Sequence, residues 1–321
     1  MMMNDSLRNQ CKAPPGTIIK GKWYKEEYTI IRELGHGANG IVYLAGREGQ
    51  EVALKVSDNS MSISSEMNIL KSFTKVQGAA LGPSLLSADD WVRAGRTLPF
   101  YVMEYIKGDT YLDFLKYKGT YWAPILALQL LKNLSRLHAS GWVFGDLKPE
   151  NLIVSMPSCQ VRCIDVGGTT LIGRSIKEFT EFFDRGYWGL GSRKAEPSYD
   201  LFAVAMIVIN SHYPKRFIRK GDGYAQLSAA IGNVPELKGY ERILDKALLG
   251  KYQSAAEMRQ ELLDAAQPRS EMKAAGPRSV NTVPSRKNGT PAKKKGGILE
   301  SIVLVVLITF IYIVYIYTKI I

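Results

Sequence analysis

Two hydrophobic patterns divide the chain between Tyr28 and Ala265. Alternation typical of β-strands occurs in four segments: 28–34, 41–44, 52–56 and 100–106. Helical spacing of apolar residues occurs in four others: 65–70, 124–138, 200–209 and 240–265. Asp200 opens an apolar run that is too short to cross a bilayer, so we expect a buried helix capped by this residue.

The C-terminal end of the chain has a different hydrophobic pattern. Ser301 to Tyr317 is a stretch of seventeen residues without a charge, which is just long enough to cross a bilayer. A buried C-terminal helix is the alternative, but no face of the segment is polar. Lys293, Lys294 and Lys295 precede it, and positive residues mark the cytoplasmic side. We therefore expect a single-pass anchor over 298–321 that holds the preceding residues at the inner face of the cell membrane.

Positive charge is concentrated just before this segment. The whole chain has a formal net charge of +12, and +7 of it arises between Pro268 and Gly297 from eight basic residues and one acid. The basic residues are Arg269, Lys273, Arg278, Arg286, Lys287, Lys293, Lys294 and Lys295. Such a disordered basic linker predicts binding to a polyanion, and charge alone fits both DNA and anionic lipid. The three cysteines lack metal-ligand spacing and are expected to be reduced thiols.

The segment from Phe144 to Asn151 combines an acid, a lysine and an amide, and then runs into an apolar segment. The Asp146 carboxylate can accept the proton of an attacking hydroxyl, and the Asn151 amide oxygen can bind Mg²⁺. Lys148 lies between them, where it can reach a transferred phosphoryl group. A surface turn is the alternative, because these residue types favour turns. Three further motifs at compatible distances favour phosphoryl transfer.

The first of these motifs is glycine-rich and lies between two predicted strands, where backbone amides can approach phosphates. Its glycines are Gly35, Gly37 and Gly40. A Rossmann turn would require a helix directly after it, but a strand follows. The second motif is Lys55 in an apolar strand with Glu66 eleven residues on, because a buried lysine needs a partner. The third is Asp165, which can supply a second oxygen to the same metal.

Together these motifs resemble the eukaryotic-type (Hanks-type) serine/threonine protein kinases, from about Tyr28 to Ala265. The resemblance implies an α+β fold, bilobal, with a β-rich N-lobe and an α-helical C-lobe, and ATP with Mg²⁺ or Mn²⁺ as cofactors. The C-terminal anchor is similar to that of tail-anchored sporulation kinases of bacilli, which favours DNA over lipid for the linker. The predicted organisation is a flexible leader over 1–27, a kinase domain over 28–265, the basic linker over 266–297 and the anchor.

The resemblance also assigns roles by position. Asp146, Lys148, Lys55 and Glu66 are the catalytic residues that it implies, and Asn151 and Asp165 are the metal ligands. The nucleotide-binding residues that it implies are Leu34, Gly35, Gly37, Gly40, Val42, Ala53, Lys55, Glu104 and Ile106, with Met103 as gatekeeper. Residues 168–188 correspond to the activation segment, in which the candidate phosphoacceptors are Thr169, Thr170, Ser175 and Thr180. Proteins with Ser or Thr acceptors are the implied substrates.

The sequence departs from the family pattern at Phe144, Gly145 and Val166 and in one further motif. Phe144 and Gly145 replace the usual His-Arg pair before the catalytic aspartate, so activation through an arginine–phosphate contact is not expected. Val166 replaces a phenylalanine, but both it and Phe144 are apolar and can preserve internal packing. An Ala-Pro-Glu motif is not recognisable after Gly189. His138, which ends a helix before the loop, is expected to be a structural hydrogen-bonding residue.

Two alternatives stay open beside a protein kinase. Aminoglycoside-type phosphotransferases carry a similar loop with a glycine before the aspartate, but Lys148 and the helix opened by Asp200 favour protein kinases. A catalytically impaired pseudokinase that recruits partners to the membrane would explain the altered motifs. Against it, no proton acceptor, metal ligand or phosphate-binding lysine is missing from the sequence.

Overall fold

The computed structural model describes residues 10–37, 39–77 and 81–266. Its N-terminal lobe is a six-stranded antiparallel sheet in the order β1-β2-β3-β4-β6-β5. The strands are β1 (Ile18–Lys20), β2 (Glu27–Gly37), β3 (Gly40–Arg47), β4 (Gln50–Val56), β5 (Leu85–Arg93) and β6 (Arg96–Glu104). One helix, α1 (Ser60–Gln77), contacts β5 and β6. The strands and the helix predicted in this part of the chain are confirmed.

The two edges of this sheet meet. Gly21 forms a bridge with Trp91, and the Lys22 N–H donates to the Asp90 carbonyl at 2.8 Å. Side chains alternate across a strand, so every second residue points into the closed sheet. Tyr28 and Phe100 are among the buried residues of this core. The N-terminal lobe therefore has a hydrophobic core of its own.

Residues 10–27 belong to this lobe, which corrects that part of the predicted flexible leader over 1–27. Residues 1–9 of the predicted leader lie outside the described residues. Cys11 and Ala13 are buried in the core of the closed sheet, and β1 pairs with β2. The Tyr43 hydroxyl donates to the Cys11 carbonyl at 3.0 Å and accepts from the Ala13 N–H at 2.8 Å. These contacts come from β3, so the composition of the segment itself did not reveal them.

The C-terminal lobe is mainly helical. Its helices are α2 (Tyr111–Lys118), α3 (Trp122–Ala139), α4 (Arg185–Trp188), α5 (Pro197–Asn210), α6 (Gly223–Gly232), α7 (Glu241–Leu248) and α8 (Ala255–Ala266). A three-stranded sheet contains β7 (Gly108–Thr110), β9 (Leu152–Ser155) and β10 (Gln160–Cys163), and β8 (Trp142–Val143) pairs with β11 (Thr170–Leu171). Short 3₁₀ turns cover Pro149–Asn151, Glu181–Phe183 and Pro235–Tyr240. The helix predicted at 124–138 is confirmed, and the region 240–265 forms two helices.

Helix α5 lies at the centre of this lobe. Every residue from Tyr199 to Asn210 is buried, and the helix contacts α3, α7 and α8. It begins at Pro197, so the prediction that Asp200 caps it is wrong. Asp200 lies inside the first turn and is fully buried. A buried carboxylate needs hydrogen-bond donors, and these come from the loop before β9, as shown below.

No helix within residues 10–37, 39–77 and 81–266 is long and apolar enough to cross a membrane. The predicted anchor over 298–321 lies outside the described residues, and so does the basic linker beyond its first residue. Cys11, Cys159 and Cys163 are all free thiols, as predicted.

Candidate active site

A cavity of about 600 Å³ opens between the N-terminal sheet and the C-terminal lobe. All nine residues predicted to bind nucleotide lie in its wall: Leu34, Gly35, Gly37, Gly40, Val42, Ala53, Lys55, Glu104 and Ile106. Ile153 of β9 adds an apolar side chain from the C-terminal lobe. The volume is in the range of small-molecule sites, and apolar walls suit a planar base. The residues present therefore fit a nucleotide.

The glycine-rich turn joins β2 to β3 along this cavity. An added Cβ at Gly35 or Gly37 would meet nothing within 4 Å, so the backbone there faces open space. At Gly40, φ is +131° and an added Cβ would lie 2.3 Å from the Val56 carbonyl oxygen. Gly40 is therefore required where the turn passes β4, and the other two glycines leave backbone amides accessible to phosphates.

Lys55 and Glu66 form a buried ion pair with Nζ and Oε2 2.6 Å apart. Oε2 of Glu66 also accepts from the Tyr101 hydroxyl at 2.8 Å, and Oε1 accepts from the Ser62 hydroxyl at 3.2 Å. Burial, together with the charges of Glu66 and Asp165, raises the pKa of Tyr101, so its hydroxyl stays a donor. The structure thus brings together the lysine and glutamate that the sequence paired, and it holds the amine at the cavity wall.

Asp146, Lys148 and Thr180 meet beside the cavity. Lys148 Nζ lies 2.5 Å from Asp146 Oδ2. The Thr180 hydroxyl donates to Asp146 Oδ1 at 3.2 Å and accepts from Lys148 Nζ at 3.1 Å. Both oxygens of the carboxylate are therefore positioned by the chain. Thr180 was predicted only as a candidate phosphoacceptor, and no local pattern indicates its contact with Asp146.

Asn151 and Asp165, the predicted metal ligands, both line the cavity. Asn151 Nδ2 donates to the Asp146 carbonyl at 2.9 Å, and the Ile164 N–H donates to the Asn151 carbonyl at 2.9 Å. Asp165 Oδ1 accepts from the Gly167 N–H at 2.9 Å. Carboxylate and amide oxygens are the ligands that Mg²⁺ prefers. This donor set therefore fits a hard divalent cation.

Asp200 supports the catalytic loop from its buried side. Its carboxylate accepts from the backbone N–H groups of Phe144 at 2.8 Å and Gly145 at 2.9 Å. His138 Nε2 lies 2.8 Å from the same carboxylate. The loop before Asp146 is thereby tied to helix α5. The prediction that His138 is a structural hydrogen-bonding residue is confirmed.

The two unusual residues before Asp146 have structural reasons. Gly145 has a φ of +86°, and an added Cβ would lie 2.6 Å from the Gly168 carbonyl oxygen. An arginine, or any other side chain, does not fit there without a shift of the loop. Phe144 and Val166 are both buried in the main hydrophobic core. Internal packing at these two positions is preserved, as expected.

Glu104, the last residue of β6, is held by a contact that the sequence did not indicate. The Glu104 carboxylate pairs with the Arg162 guanidinium, with Nη2 and Oε2 2.9 Å apart, and also accepts from the Ser84 N–H at 3.2 Å. Hydrogen bonding to Arg162 lowers the pKa of Glu104 below its usual value. Arg162 lies on β10, three residues before Asp165. One ion pair therefore connects the end of β6 to the strand that precedes Asp165, a predicted metal ligand.

Asp184 anchors the end of the activation segment. This fully buried carboxylate accepts from the Tyr187 N–H at 2.9 Å and the Tyr199 hydroxyl at 2.9 Å. It also pairs with Arg193 at 2.7 Å. The segment is therefore fixed to helix α5 although no Ala-Pro-Glu motif is recognisable.

The four candidate phosphoacceptors differ in accessibility. Thr169 and Thr170 are buried. Thr180 is hydrogen-bonded to Asp146. Thr180 is partly buried, and Ser175 alone of the four residues is exposed.

Glu178 is a further residue of the site, and the sequence did not indicate it. It lines the cavity and accepts from Asn39 Nδ2 of the glycine-rich turn at 2.7 Å. Burial, followed by the nearby charges of Asp165 and Asp146, raises the pKa of Glu178. The two partners are 139 residues apart, and no local pattern marks either of them. An acid of the activation segment therefore contacts the nucleotide side of the site.

Comparison with known proteins agrees with this geometry. The protein kinase domain family matches residues 28–264. The serine/threonine-protein kinase YabT of Bacillus subtilis (strain 168) is 49% identical to the chain over 98% of both proteins. The serine/threonine-protein kinase ArnS of Sulfolobus acidocaldarius is 25% identical over 58% of this chain and 37% of ArnS.

A solved structure shows the same fold. Vaccinia related kinase 3 superimposes with a TM-score of 0.58 at 18% identity, over 81% of this chain and 93% of that one. The chain therefore belongs to the protein kinase family and resembles the bacterial serine/threonine-protein kinase YabT.

Proposed function

We propose that the chain is an active serine/threonine protein kinase that uses ATP with Mg²⁺ or Mn²⁺. The observation that carries this proposal is the meeting of Asp146, Lys148 and the Thr180 hydroxyl beside a cavity that contains Lys55. The similarity to YabT supports protein rather than small-molecule acceptors.

Each residue of the site has a separate role in the proposed phosphoryl transfer. Asp146 accepts the proton of the incoming hydroxyl, and Lys148 and Thr180 orient its two oxygens. Lys55 presents a fixed positive charge to phosphates, and Asn151 and Asp165 would hold the divalent cation. Bound ATP with its cation supplies the phosphoryl group and neutralises the charge that develops on it. None of these groups is missing, which disfavours a pseudokinase.

A direct assay tests this proposal. Purified protein is given labelled ATP and Mg²⁺ with a generic protein acceptor or, separately, with aminoglycosides. We expect protein phosphorylation, and we expect Asp146→Asn to reduce it by about 10²–10⁴-fold because a positioned base is lost. Glu236→Gln, an exposed acid outside the cavity wall, is the matched control. Phosphorylation of aminoglycosides alone would favour the small-molecule alternative.

We also propose that residues 298–321 anchor the kinase at the inner face of the cell membrane and that the basic linker binds DNA. Three lysines next to the anchor are enough to set its orientation, but five more basic residues extend back to Arg269. These additional charges support a polyanion partner. A flexible chain of this length spans roughly 30 Å, so anionic lipid is the competing partner.

Binding measurements across salt concentrations separate these two partners. A fragment that ends at Gly297 is compared with the same fragment in which the eight basic residues of the linker are changed to Gln. We expect the unchanged fragment to bind duplex DNA, with a logarithmic salt slope of about −0.9 per neutralised phosphate. Equal DNA affinity of both fragments would exclude the linker as the DNA-binding segment. Binding to anionic vesicles alone would assign it to lipid.

A further inference from the structure

Four of the six residues from Lys215 to Lys220 are basic, and we call this segment the basic loop. The basic residues are Lys215, Arg216, Arg219 and Lys220, and all four are exposed. The loop follows helix α5 and joins it to α6. Clusters of lysine and arginine are common on solvated surfaces. A functional role for the basic loop therefore has to be argued from its position relative to the active site.

Aromatic packing fixes the position of the basic loop. The Phe217 ring contacts the rings of Phe182 at 5.2 Å and Trp188 at 5.8 Å, both in edge-to-face geometry. Arg219 Nη1 donates to the Tyr187 carbonyl at 2.7 Å. Residues 182–188 continue directly from Thr180, whose hydroxyl contacts Asp146. The basic loop is therefore held beside the segment that borders the proton acceptor.

Arg216 connects the basic loop to Glu150, which lies in the same segment as Asp146. Its Nη2 lies 2.5 Å from Glu150 Oε1, and its guanidinium lies 4.6 Å from the centre of the Phe183 ring. Glu150 lines the cavity four residues after Asp146. This contact neutralises an acid that would otherwise repel negative groups next to the acceptor position.

The remaining charges of the basic loop are not neutralised. Within residues 10–37, 39–77 and 81–266, no carboxylate pairs with Lys215, Arg219 or Lys220. The irregular segment that leads to Thr180 adds the exposed residues Arg174 and Lys177, which also lack carboxylate partners among those residues. These five basic side chains therefore have no carboxylate partner among the described residues, and Glu181, directly after Thr180, is an exposed acid beside them.

We propose that the basic loop selects protein substrates with acidic side chains close to the Ser or Thr acceptor. This inference rests on the proposed kinase activity of the same site. A peptide that brings its hydroxyl to Asp146 passes residues 180–188 and therefore the basic loop. Exposed ion pairs each contribute about 1.5- to 5-fold in affinity, so two or three flanking acids give roughly 2- to 100-fold.

Three peptides with one serine acceptor test this proposal in the full-length protein. They differ only in their flanking residues, which are Asp and Glu, Asn and Gln, or Lys and Arg. We expect kcat/KM to be about 10-fold higher for the acidic peptide than for the neutral one, mainly through KM, and lowest for the basic peptide. The advantage of the acidic peptide is expected to shrink as salt increases.

Charge reversal identifies the residues responsible. In Lys215→Glu/Lys220→Glu, we expect the acidic peptide to lose its advantage and KM for ATP to stay unchanged. Lys132→Glu/Lys238→Glu is the matched control, because it reverses two exposed charges outside the basic loop and the cavity wall. The control variant is expected to keep the selectivity of the unchanged protein.

The outcomes separate this inference from the proposed function. Phosphorylation of all three peptides at similar kcat/KM would overturn the substrate selection and leave the kinase activity standing. Absence of phosphorylation of any peptide or protein would instead contradict the proposed function. Loss of oligonucleotide binding in Lys215→Glu/Lys220→Glu, with unchanged peptide selectivity, would show that the basic loop binds nucleic acid and would also overturn the proposal.

Discussion

The two sides of the active site are built in different ways. On the nucleotide side, Lys55 and Glu66 project from a strand and a helix and are 8% and 2% exposed. On the acceptor side, Asp146, Lys148 and Thr180 come from loops, and Lys148 and Thr180 are only partly buried. The first pair is enclosed by the cores of regular elements, whereas the second group depends on where the activation segment lies.

This difference predicts different consequences of substitution. A buried ion pair contributes to the folded state as well as to phosphate binding, so its loss lowers stability and activity together. A partly exposed hydrogen-bonded group mainly orients a reactive atom, so its loss lowers activity and leaves stability nearly unchanged. The substitutions below, ordered from the largest expected effect, test this distinction.

Lys55→Met should have the largest effect, because it removes the phosphate-binding charge and leaves the Glu66 carboxylate buried without its partner. We expect activity to fall at least about 100-fold and the free energy of unfolding to fall by about 3–5 kcal/mol. Adding Glu66→Gln should restore part of the stability, since Gln can still accept from the Tyr101 hydroxyl, but not the activity. Unchanged thermal stability of Lys55→Met would contradict the structural role of the pair.

Gly145→Ala tests the backbone of the acceptor side. Its φ of +86° and the 2.6 Å approach to the Gly168 carbonyl predict a loss of at least about 2 kcal/mol in the free energy of unfolding. Gly173→Ala is the matched control, because Gly173 has a φ of +89° but open space around an added Cβ. Denaturant unfolding of both variants measures the difference. Equal losses would show that the approach to Gly168 does not matter.

Thr180→Ala tests the orientation of Asp146. We expect kcat to fall by about 10-fold, which corresponds to about 1.4 kcal/mol for a hydrogen bond to a charged group. Thr180→Ser keeps the hydroxyl and should retain most of the activity, and both variants should melt close to the unchanged protein. If phosphorylation of Thr180 were required instead, Thr180→Glu would restore kcat. The orienting role predicts that Thr180→Glu does not restore it.

Glu178→Gln should have the smallest effect, and it should depend on pH. The folded state raises the pKa of this carboxyl, so folding favours the protonated form and the ionised form costs stability. The favourable contribution is complete below the ordinary glutamate pKa of about 4.3 and is lost as pH rises through the folded-state pKa.

Gln cannot ionise but can still accept from Asn39 Nδ2. We therefore expect Glu178→Gln to raise the Tm at pH 7 by less than about 4 °C, a gain below about 1 kcal/mol, and to have no such effect near pH 4. Glu181→Gln, an exposed neighbour of the same charge, is the control. A lower Tm of Glu178→Gln at pH 7 would show that the charge stabilises the fold.

Local patterns in the chain, together with the family resemblance that they carry, predicted the nucleotide side. Lys55 and Glu66 lie eleven residues apart on elements with clear strand and helix periodicity, and the glycine-rich turn lies between two alternating segments. Asp146, Lys148 and Asn151 share one short loop. Such residues were predicted because spacing along a strand, a helix or a tight turn directly determines which side chains share a face.

Only the tertiary structure placed the other residues of the site. Thr180 reaches Asp146 across 34 residues, Asp200 reaches Phe144 across 56, and Glu178 reaches Asn39 across 139. The N-terminal segment was likewise assigned to a flexible leader until its contacts with Tyr43 showed that it belongs to the core. A contact between distant residues leaves no periodicity or composition signal in either partner, because it arises only when separately formed elements pack against each other.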